Sequence, residues 1–103
     1  MDERELRAFL CVAATGRMDR AAKTLGYSQP AISYQIKCLE QALGLRLFTR
    51  HSTGARLTSE GQMILPAARA AVMLIDEIRN TVMRPTLQPT TVPQLAPQLS
   101  VVG

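Results

Sequence analysis

Three glycines divide the first 44 residues into short segments, and each segment carries apolar residues at helical spacing. Gly16, Gly26 and Gly44 each follow such a segment, and glycine readily adopts the left-handed conformation that ends a helix. The glycines therefore predict three short helices in succession. The first has an apolar stripe that we assign to the core, formed by Leu6, Phe9, Leu10 and Ala13.

Capping residues predict where the first two helices begin. Asp2 is an acidic cap, and Glu5 follows it at the spacing of a capping box. Asp19 is the predicted cap of the second helix. Two adjacent alanines, Ala21 and Ala22, come next. Since small side chains let two helix backbones cross at close range, we expect the second helix to pack tightly against a neighbour.

The third predicted helix has one apolar and one polar face. Ser28 is its predicted cap, and Pro30 falls in the first turn, where a missing N–H breaks no intrahelical bond. The apolar positions recur at i, i+4, i+7 and i+11, as Ile32, Ile36, Leu39 and Leu43. The opposite face carries hydrogen-bonding side chains and one cation, namely Gln29, Ser33, Tyr34 and Lys37.

Residues 45–58 predict a β-hairpin with short strands. Two short runs flank a turn at residues 52–54, which contains a glycine. The basic side chains Arg50, His51 and Arg56 lie near the predicted tip. Two helices joined by a glycine turn and followed by a basic hairpin form the pattern of a winged helix-turn-helix. We therefore predict an all-α fold with a small β-hairpin, continued by a long linker helix.

The long final helix is predicted from Thr58, its cap, with Glu60 in the first turn. Its apolar residues alternate at spacings of three and four for about three heptads, as Gly61, Ile64, Ala68, Ala71, Ile75, Ile78 and Val82. We call this row the seam. It is longer than three small helices can cover, so we interpret its members from Ile64 to Val82 as a dimer interface. Packing on the chain's own body is the alternative.

The amino-acid composition changes after Arg84. Prolines recur every four residues from position 85 to position 97, and no charged residue follows Arg84. Spaced prolines interrupt helices, so we predict a disordered tail. The predicted organisation is a winged helix-turn-helix domain at residues 1–58, a linker (dimerisation) helix at 59–84 and a tail rich in Pro, Thr and Gln at 85–103.

Positive charge is concentrated in one segment. Residues 17–56 carry seven basic and two acidic side chains, a net charge of +5, whereas the rest of the chain has five basic and six acidic ones. Such a local excess is typical of a surface that meets phosphates, although an ordinary solvated basic face gives the same count. In a winged helix-turn-helix one helix enters the major groove while the wing contacts phosphates. The pattern therefore predicts binding to double-stranded DNA.

Few residues suit catalysis, metal binding or membrane insertion. Cys11, Cys38 and the single histidine, His51, cannot supply the four ligands of a structural zinc, so we predict both cysteines to be buried as small hydrophobic residues. His51 has no nucleophile or carboxylate at motif spacing, and no glycine-rich phosphate loop is present. We expect no catalytic residue, enzyme activity, metal or cofactor. With no leader and no membrane-spanning apolar run, we expect a cytoplasmic protein without a membrane partner.

The stretch AAKTLGYSQPAISYQIKCLEQALGLRLFTR, followed by LTSEGQMILPAAR, resembles the amino-terminal domain of LysR-type transcriptional regulators. The resemblance covers roughly residues 4–80, and its succession SQPAIS…QIK.LE…LG..LF.R…LT..G is highly specific. It implies a homodimer, paired through the linker helix, on an inverted-repeat operator. The implied base-reading residues are Ser28, Gln29, Pro30, Ser33, Tyr34 and Lys37. The implied wing contact to phosphate is Arg50, to which we add Lys23, His51 and Arg56 as candidate phosphate contacts.

Two positions depart from the family pattern. Tyr34 occupies a place where arginine or lysine is usual, and Thr53 stands where a basic wing residue is common, with Arg56 nearby. Family members also continue into a small-molecule-sensing domain, and nothing after Arg84 resembles it. We therefore expect no inducer site within this chain.

Two functions from different classes fit this sequence. The first is sequence-specific DNA binding by a LysR-type transcriptional regulator, or by the DNA-binding portion of one. The second is an interaction protein that pairs through residues 58–84 with full-length relatives and inhibits their DNA binding. A gel-shift assay with and without such a relative separates the two hypotheses.

Overall fold

The computed structural model describes residues 1–51 and 54–82, which form four helices and one antiparallel hairpin. In chain order the elements are α1 (Glu3–Thr15), α2 (Met18–Leu25), α3 (Gln29–Leu43), β1 (Phe48–His51), β2 (Gly54–Leu57) and α4 (Ser59–Val82). This arrangement confirms the predicted fold class. The predictions for Ser52, Thr53, the helix end at Arg84 and the tail at 85–103 lie outside the described residues.

Most helix ends follow the predicted capping residues. The Asp2 carboxylate accepts the Glu5 N–H at 3.0 Å. Ser28 and Thr58 cap α3 and α4, because each hydroxyl accepts the N–H of the third residue on, at 3.2 and 2.9 Å respectively. The glycines that end α1, α2 and α3 have positive φ angles, 75° at Gly16, 79° at Gly26 and 71° at Gly44.

The predicted cap of α2 at Asp19 is wrong. The helix begins at Met18, and Arg17 holds the N-cap position without a side-chain capping bond. The Asp19 carboxylate lies in the first turn instead, where it accepts two N–H groups of the Arg17 guanidinium at 2.9 and 3.1 Å. A bidentate arginine–carboxylate pair thus replaces the expected cap.

The core lies within the compact unit Met1–Val72 and joins α1, α2 and α3 to the root of the hairpin. Its largest fully buried side chains are Phe9, Phe48, Ile32, Leu39, Leu47 and Val12. The rings of Phe9 and Phe48 pack edge to face with centroids 5.6 Å apart. Ala21 and Ala22 are 0% and 4% exposed, as their small size predicted for a closely packed α2.

The hairpin is joined to the end of α3 by the carboxylate of Glu40. Its Oε2 accepts the backbone N–H of Leu47 at 2.7 Å and that of Phe48 at 3.4 Å. The same oxygen lies 3.6 Å from Nε of Arg46. Because Glu40 is on α3 and Phe48 begins β1, these contacts set the position of the first strand relative to α3.

The start of α4 is fixed on the same root of the hairpin. The Thr58 N–H donates to the Leu47 carbonyl at 2.9 Å, and the Thr58 hydroxyl donates to the Arg46 carbonyl at 2.6 Å. Gly61 is buried one turn later, and a Cβ at this position would lie 2.5 Å from the Leu47 oxygen. Only glycine fits this close approach.

The far end of the hairpin is tied to the loop between α1 and α2. The N–H of Ala55 donates to the Gly16 carbonyl at 2.9 Å. Gly54 has a φ of 153°, and a Cβ there would collide with the same carbonyl oxygen. The second strand is therefore held against the body of the domain by its backbone.

The seam of α4 combines buried and exposed residues. Ala68 is 3% exposed and belongs to the core cluster, and Ile64 is partly buried against that cluster. Ala71 and Ile75 have intermediate exposure. Ile78 and Val82, in the unit that starts at Met73, are 65% and 72% exposed. The start of the seam, at Ile64 and Ala68, therefore packs against the chain's own core, which is the alternative to a dimer interface for these two residues.

We predict that Glu40→Ala lowers the free energy of unfolding by about 1–3 kcal/mol, because it leaves partly buried N–H groups at the hairpin root without an acceptor. Glu40→Gln keeps an acceptor oxygen and should lose less. Urea denaturation measures both variants.

The matched control is Gln41→Ala, at the next and exposed position of α3. It should change stability by no more than about 0.5 kcal/mol. Equal losses from the two alanine variants would contradict the role of the carboxylate.

Candidate nucleic-acid interface

The outward side of α3 presents the polar residues that the sequence predicted. Its buried residues are Ile32, Ile36 and Leu39, so the helix is held by one face. Of the predicted base-reading residues, five are exposed and Ser33 is half-buried; the exposed ones are Ser28, Gln29, Pro30, Tyr34 and Lys37. The first turn of α3, with its cap, is therefore open to a partner.

The side chains of the hairpin divide between two faces. The register pairs Phe48 with Leu57, Thr49 with Arg56, and Arg50 with Ala55. Since residues alternate along a strand and paired residues share a face, Arg50 shares the face of the buried Phe48. Arg56 lies with Thr49 on the opposite face. We call these the inner and outer faces of the wing.

Arg50 links the inner face of the wing to α3. Its Nη2 donates to the Ser33 hydroxyl at 3.4 Å. An open groove runs here between α3 and β1, and its lining includes Pro30, Ser33, Tyr34, Lys37, Arg46 and Arg50. The one carboxylate in this lining belongs to Glu40, which is already bonded to backbone N–H groups. The groove therefore carries a net positive charge.

The outer face of the wing carries the other two predicted phosphate contacts of the hairpin. Arg56 and His51 are both exposed, and His51 follows Thr49 by two residues on the same strand. The His51 Nε2 lies 3.3 Å from the Thr49 hydroxyl. Sequence reasoning grouped Arg50, His51 and Arg56 as one cluster, but the strand register separates Arg50 from the other two.

A second, smaller depression lies beside the first turn of α2, and its lining includes Arg17, Asp19, Gln29 and His51. The hydrogen bond from the Arg17 guanidinium holds the pKa of Asp19 below its ordinary value, and the same contact raises the pKa of Arg17. This exposed pair is therefore fully ionised at neutral pH. The depression that Gln29 lines therefore contains an ion pair whose two charges offset each other.

Lys23 stands apart from the wing. It lies in the last turn of α2, where a cation also interacts favourably with the helix dipole, and its side chain is exposed. The buried residues of α2 are Met18, Ala21 and Ala22, so Lys23 belongs to the solvent-facing side of the helix.

Tyr34 is 67% exposed. Interaction with the Cys38 side chain, one turn further along α3, raises the pKa of the Tyr34 hydroxyl. Charge interaction with Cys38, burial and the charge of Glu5 act in the same direction. The hydroxyl therefore stays protonated and neutral at physiological pH.

The two cysteines are less buried than predicted. Cys11 and Cys38 are free thiols with intermediate exposure, and Cys11 packs against the edge of the core. In residues 1–51 and 54–82, no group of three or more His, Cys, Asp or Glu side chains could hold a metal ion. No helix of this part of the chain is long and apolar enough to cross a membrane.

Sequence reasoning missed the residues that hold the wing in place. Glu40 was counted only as a negative charge, although it supplies the acceptor at the hairpin root. Gly61 was treated as a seam residue, although its role is a close backbone approach. Glu40 falls in the LE part of the family pattern and Gly61 in the LT..G part, so the pattern itself was the sequence signal for both residues.

The chain matches one family model over residues 4–62, that of bacterial regulatory helix-turn-helix proteins of the lysR family. Among similar proteins, the small neutral protease regulatory protein of Streptomyces coelicolor is 44% identical over 80 residues, which cover 74% of this chain and 25% of that protein. The HTH-type transcriptional regulator HdfR of Escherichia coli O139:H28 is 46% identical over 68 residues, 66% of this chain and 24% of HdfR. The chain spans about a quarter of the length of these relatives.

Solved structures of DNA complexes resemble the fold. The CbnR_DBD–DNA complex matches with a TM-score of 0.76 and 37% identity, over 81% of this chain and 95% of that chain. The complex of BenM_DBD with catB site 1 DNA matches with a TM-score of 0.76 and 32% identity, over 82% of this chain and 93% of that chain. These matches and the family model agree with the resemblance seen in the sequence.

Proposed function

We propose that this chain, which belongs to the lysR family of bacterial regulatory helix-turn-helix proteins, binds double-stranded DNA sequence-specifically and regulates transcription. The family is one of regulators and not of enzymes. The observation that carries the proposal is the groove between α3 and the wing, which joins exposed polar side chains of α3 to the cation of Arg50. A helix with such a face fits the major groove.

Base recognition is assigned to the cap and first two turns of α3. Gln29 has an amide that can pair with adenine N6 and N7, and Lys37 can donate to guanine or to a phosphate. Tyr34 lacks the two-pronged donor that suits guanine, so we assign it to a thymine methyl group or to groove shape. Ser28, Pro30 and Ser33 complete the proposed base-reading surface.

Phosphate contacts are assigned to cations on both sides of this surface. Arg50, on the inner face of the wing, contacts the DNA strand that lies next to α3. Arg56 and His51 contact the phosphate backbone of the DNA from the outer face. Lys23 on α2 anchors the opposite side. Contacts of this kind set register and affinity without selecting a sequence.

A regulator of this bacterial family that binds DNA acts in the cytoplasm.

Dimerisation is assigned to the exposed part of the seam on α4. Ile78 and Val82 remain exposed in the single chain, and Ala71 and Ile75 continue the same row. Ile64, near the start of the seam, is partly buried against the core. Ala68 has almost no free surface and is left out of the proposed interface. Two-fold pairing presents two α3 helices to DNA, so the operator is expected to be an inverted repeat with half-sites about one helical turn or more apart.

The direct test is selection of bound duplexes from random DNA, followed by titration of the selected site at several salt concentrations. If about six phosphates are neutralised, log K should fall against log salt with a slope near −5. A selected motif with this salt dependence supports the proposal. Equal binding to an unrelated acidic polymer, or a slope near zero, would contradict it.

We predict that Gln29→Ala weakens binding to the selected site by about 1–3 kcal/mol and relaxes the preference at one base position. The matched control is Lys23→Ala, on α2, which should weaken binding to all sequences by one factor because a phosphate contact carries no sequence information. Selection with each variant measures the preference. If both variants leave the motif unchanged, Gln29 does not read a base.

We predict that Ile75→Asp combined with Ile78→Asp converts the protein to a monomer and removes most of its affinity for the full operator, because unpaired carboxylates are costly to bury. Sedimentation and half-site binding measure the two effects. Asn80→Asp, at an exposed position of α4, should leave the dimer intact. A wild-type chain that is monomeric at high micromolar concentration would refute the assigned interface.

A further inference from the structure

Arg50 contacts a residue of α3 that is assigned to base reading. Its Nη2 donates to the Ser33 hydroxyl at 3.4 Å, across a separation of 17 residues. In the part of the chain that the structure describes, the Arg50 guanidinium forms no ion pair with a carboxylate. Its orientation is therefore set by Ser33 and by the backbone of the wing.

The wing backbone holds Arg50 at this place from both strands. On β1, Phe48 precedes Arg50 by two residues, and its N–H is bonded to Glu40. On β2, Ala55 is the register partner of Arg50, and its N–H is bonded to the Gly16 carbonyl at 2.9 Å. The backbone of the strand pair Arg50–Ala55 is thus held in place before any partner binds.

We infer that Arg50 determines the base preference at the position read by Ser33, in addition to contacting phosphate. This inference rests on the proposed DNA-binding function. A serine hydroxyl has one donor hydrogen and two acceptor lone pairs, whereas a guanidinium only donates. When Arg50 occupies one lone pair of Ser33, the hydroxyl is biased toward donating to the DNA, because a second donor at the remaining lone pair would lie next to the guanidinium charge.

The orientation of the hydroxyl selects the chemistry of the base edge. A donor suits the acceptor atoms of the major groove, namely purine N7, guanine O6 and thymine O4. The cytosine N4 amino group is a donor, and the positive charge of the nearby guanidinium disfavours it as well. Arg50 and Ser33 therefore act as one unit that rejects cytosine at this position.

The test is a double-mutant cycle in the full chain with Ser33→Ala, Arg50→Ala and the combined variant. Selection from random duplex DNA and dissociation constants for the selected site are the readouts. Both single variants should admit cytosine at the same position, and the combined variant should admit it no further. Since the second change removes a contact already lost, the combined variant should bind about threefold more tightly than the product of the single losses implies.

Arg56→Ala is the matched control, because Arg56 lies on the outer face of the wing and its register partner is Thr49. It should lower affinity for every sequence by one factor, and its effect should multiply with that of Ser33→Ala. Ser33→Thr keeps the hydroxyl and should keep the rejection of cytosine. Equal thermal unfolding of all variants shows that the fold is retained.

The inference is overturned if Arg50→Ala leaves the selected motif unchanged and its effect multiplies with that of Ser33→Ala. That result means that Arg50 only contacts phosphate, and it leaves the proposed function intact. If the wild-type chain selects no motif, the proposed function and this inference both fail.

Discussion

The carboxylate of Glu40 accepts two backbone N–H groups at the root of the hairpin, and the position of the wing relative to α3 depends on this contact. The Glu40 side chain is 15% exposed, so its hydrogen bonds are shielded from water, and bonds to a charged acceptor contribute about 1.5–3 kcal/mol. The ion pair with Arg46 spans 3.6 Å and involves a side chain that is 71% exposed. Such a surface pair contributes about 0–1 kcal/mol. The backbone contacts therefore dominate this joint.

A hairpin with two four-residue strands has little stability of its own, and this one gains order from its attachments. Glu40 bonds the backbone at the start of β1, and Thr58 joins the root of the hairpin to the start of α4. The Gly16 carbonyl accepts a hydrogen bond from β2. Gly54 and Gly61 allow the chain to come close enough for two of these contacts. A wing held in this way can present its cations in a defined place without the entropy cost of ordering a free loop.

Local signals in the sequence were sufficient to predict the helices, because glycine ends and hydroxyl or carboxylate caps act within one turn. The cap of α2 was missed since Asp19 has a competing partner, Arg17, whose guanidinium offers two donors. The two faces of the wing could not be read from composition, because they depend on strand register. Heptad spacing also could not separate Ala68, which serves the core, from Val82, which remains exposed. Both positions obey the same period, and only packing distinguishes them.

Tyr34 stands where the resemblance to LysR-type regulators implies arginine or lysine, and this difference changes the charge of the groove. The neighbouring Cys38 side chain raises the pKa of the Tyr34 hydroxyl, so Tyr34 contributes neither a positive nor a negative charge at neutral pH. Arg46 lies 3.6 Å from the Glu40 carboxylate but is 71% exposed, so Lys37, Arg46 and Arg50 are the cations of the groove that can meet a phosphate. Lys37 projects from α3, whereas Arg46 and Arg50 belong to the wing and its root, and the Arg50 guanidinium also donates to the Ser33 hydroxyl. The placement of positive charge against α3 therefore depends more on the wing than on α3, the helix to which base reading is assigned.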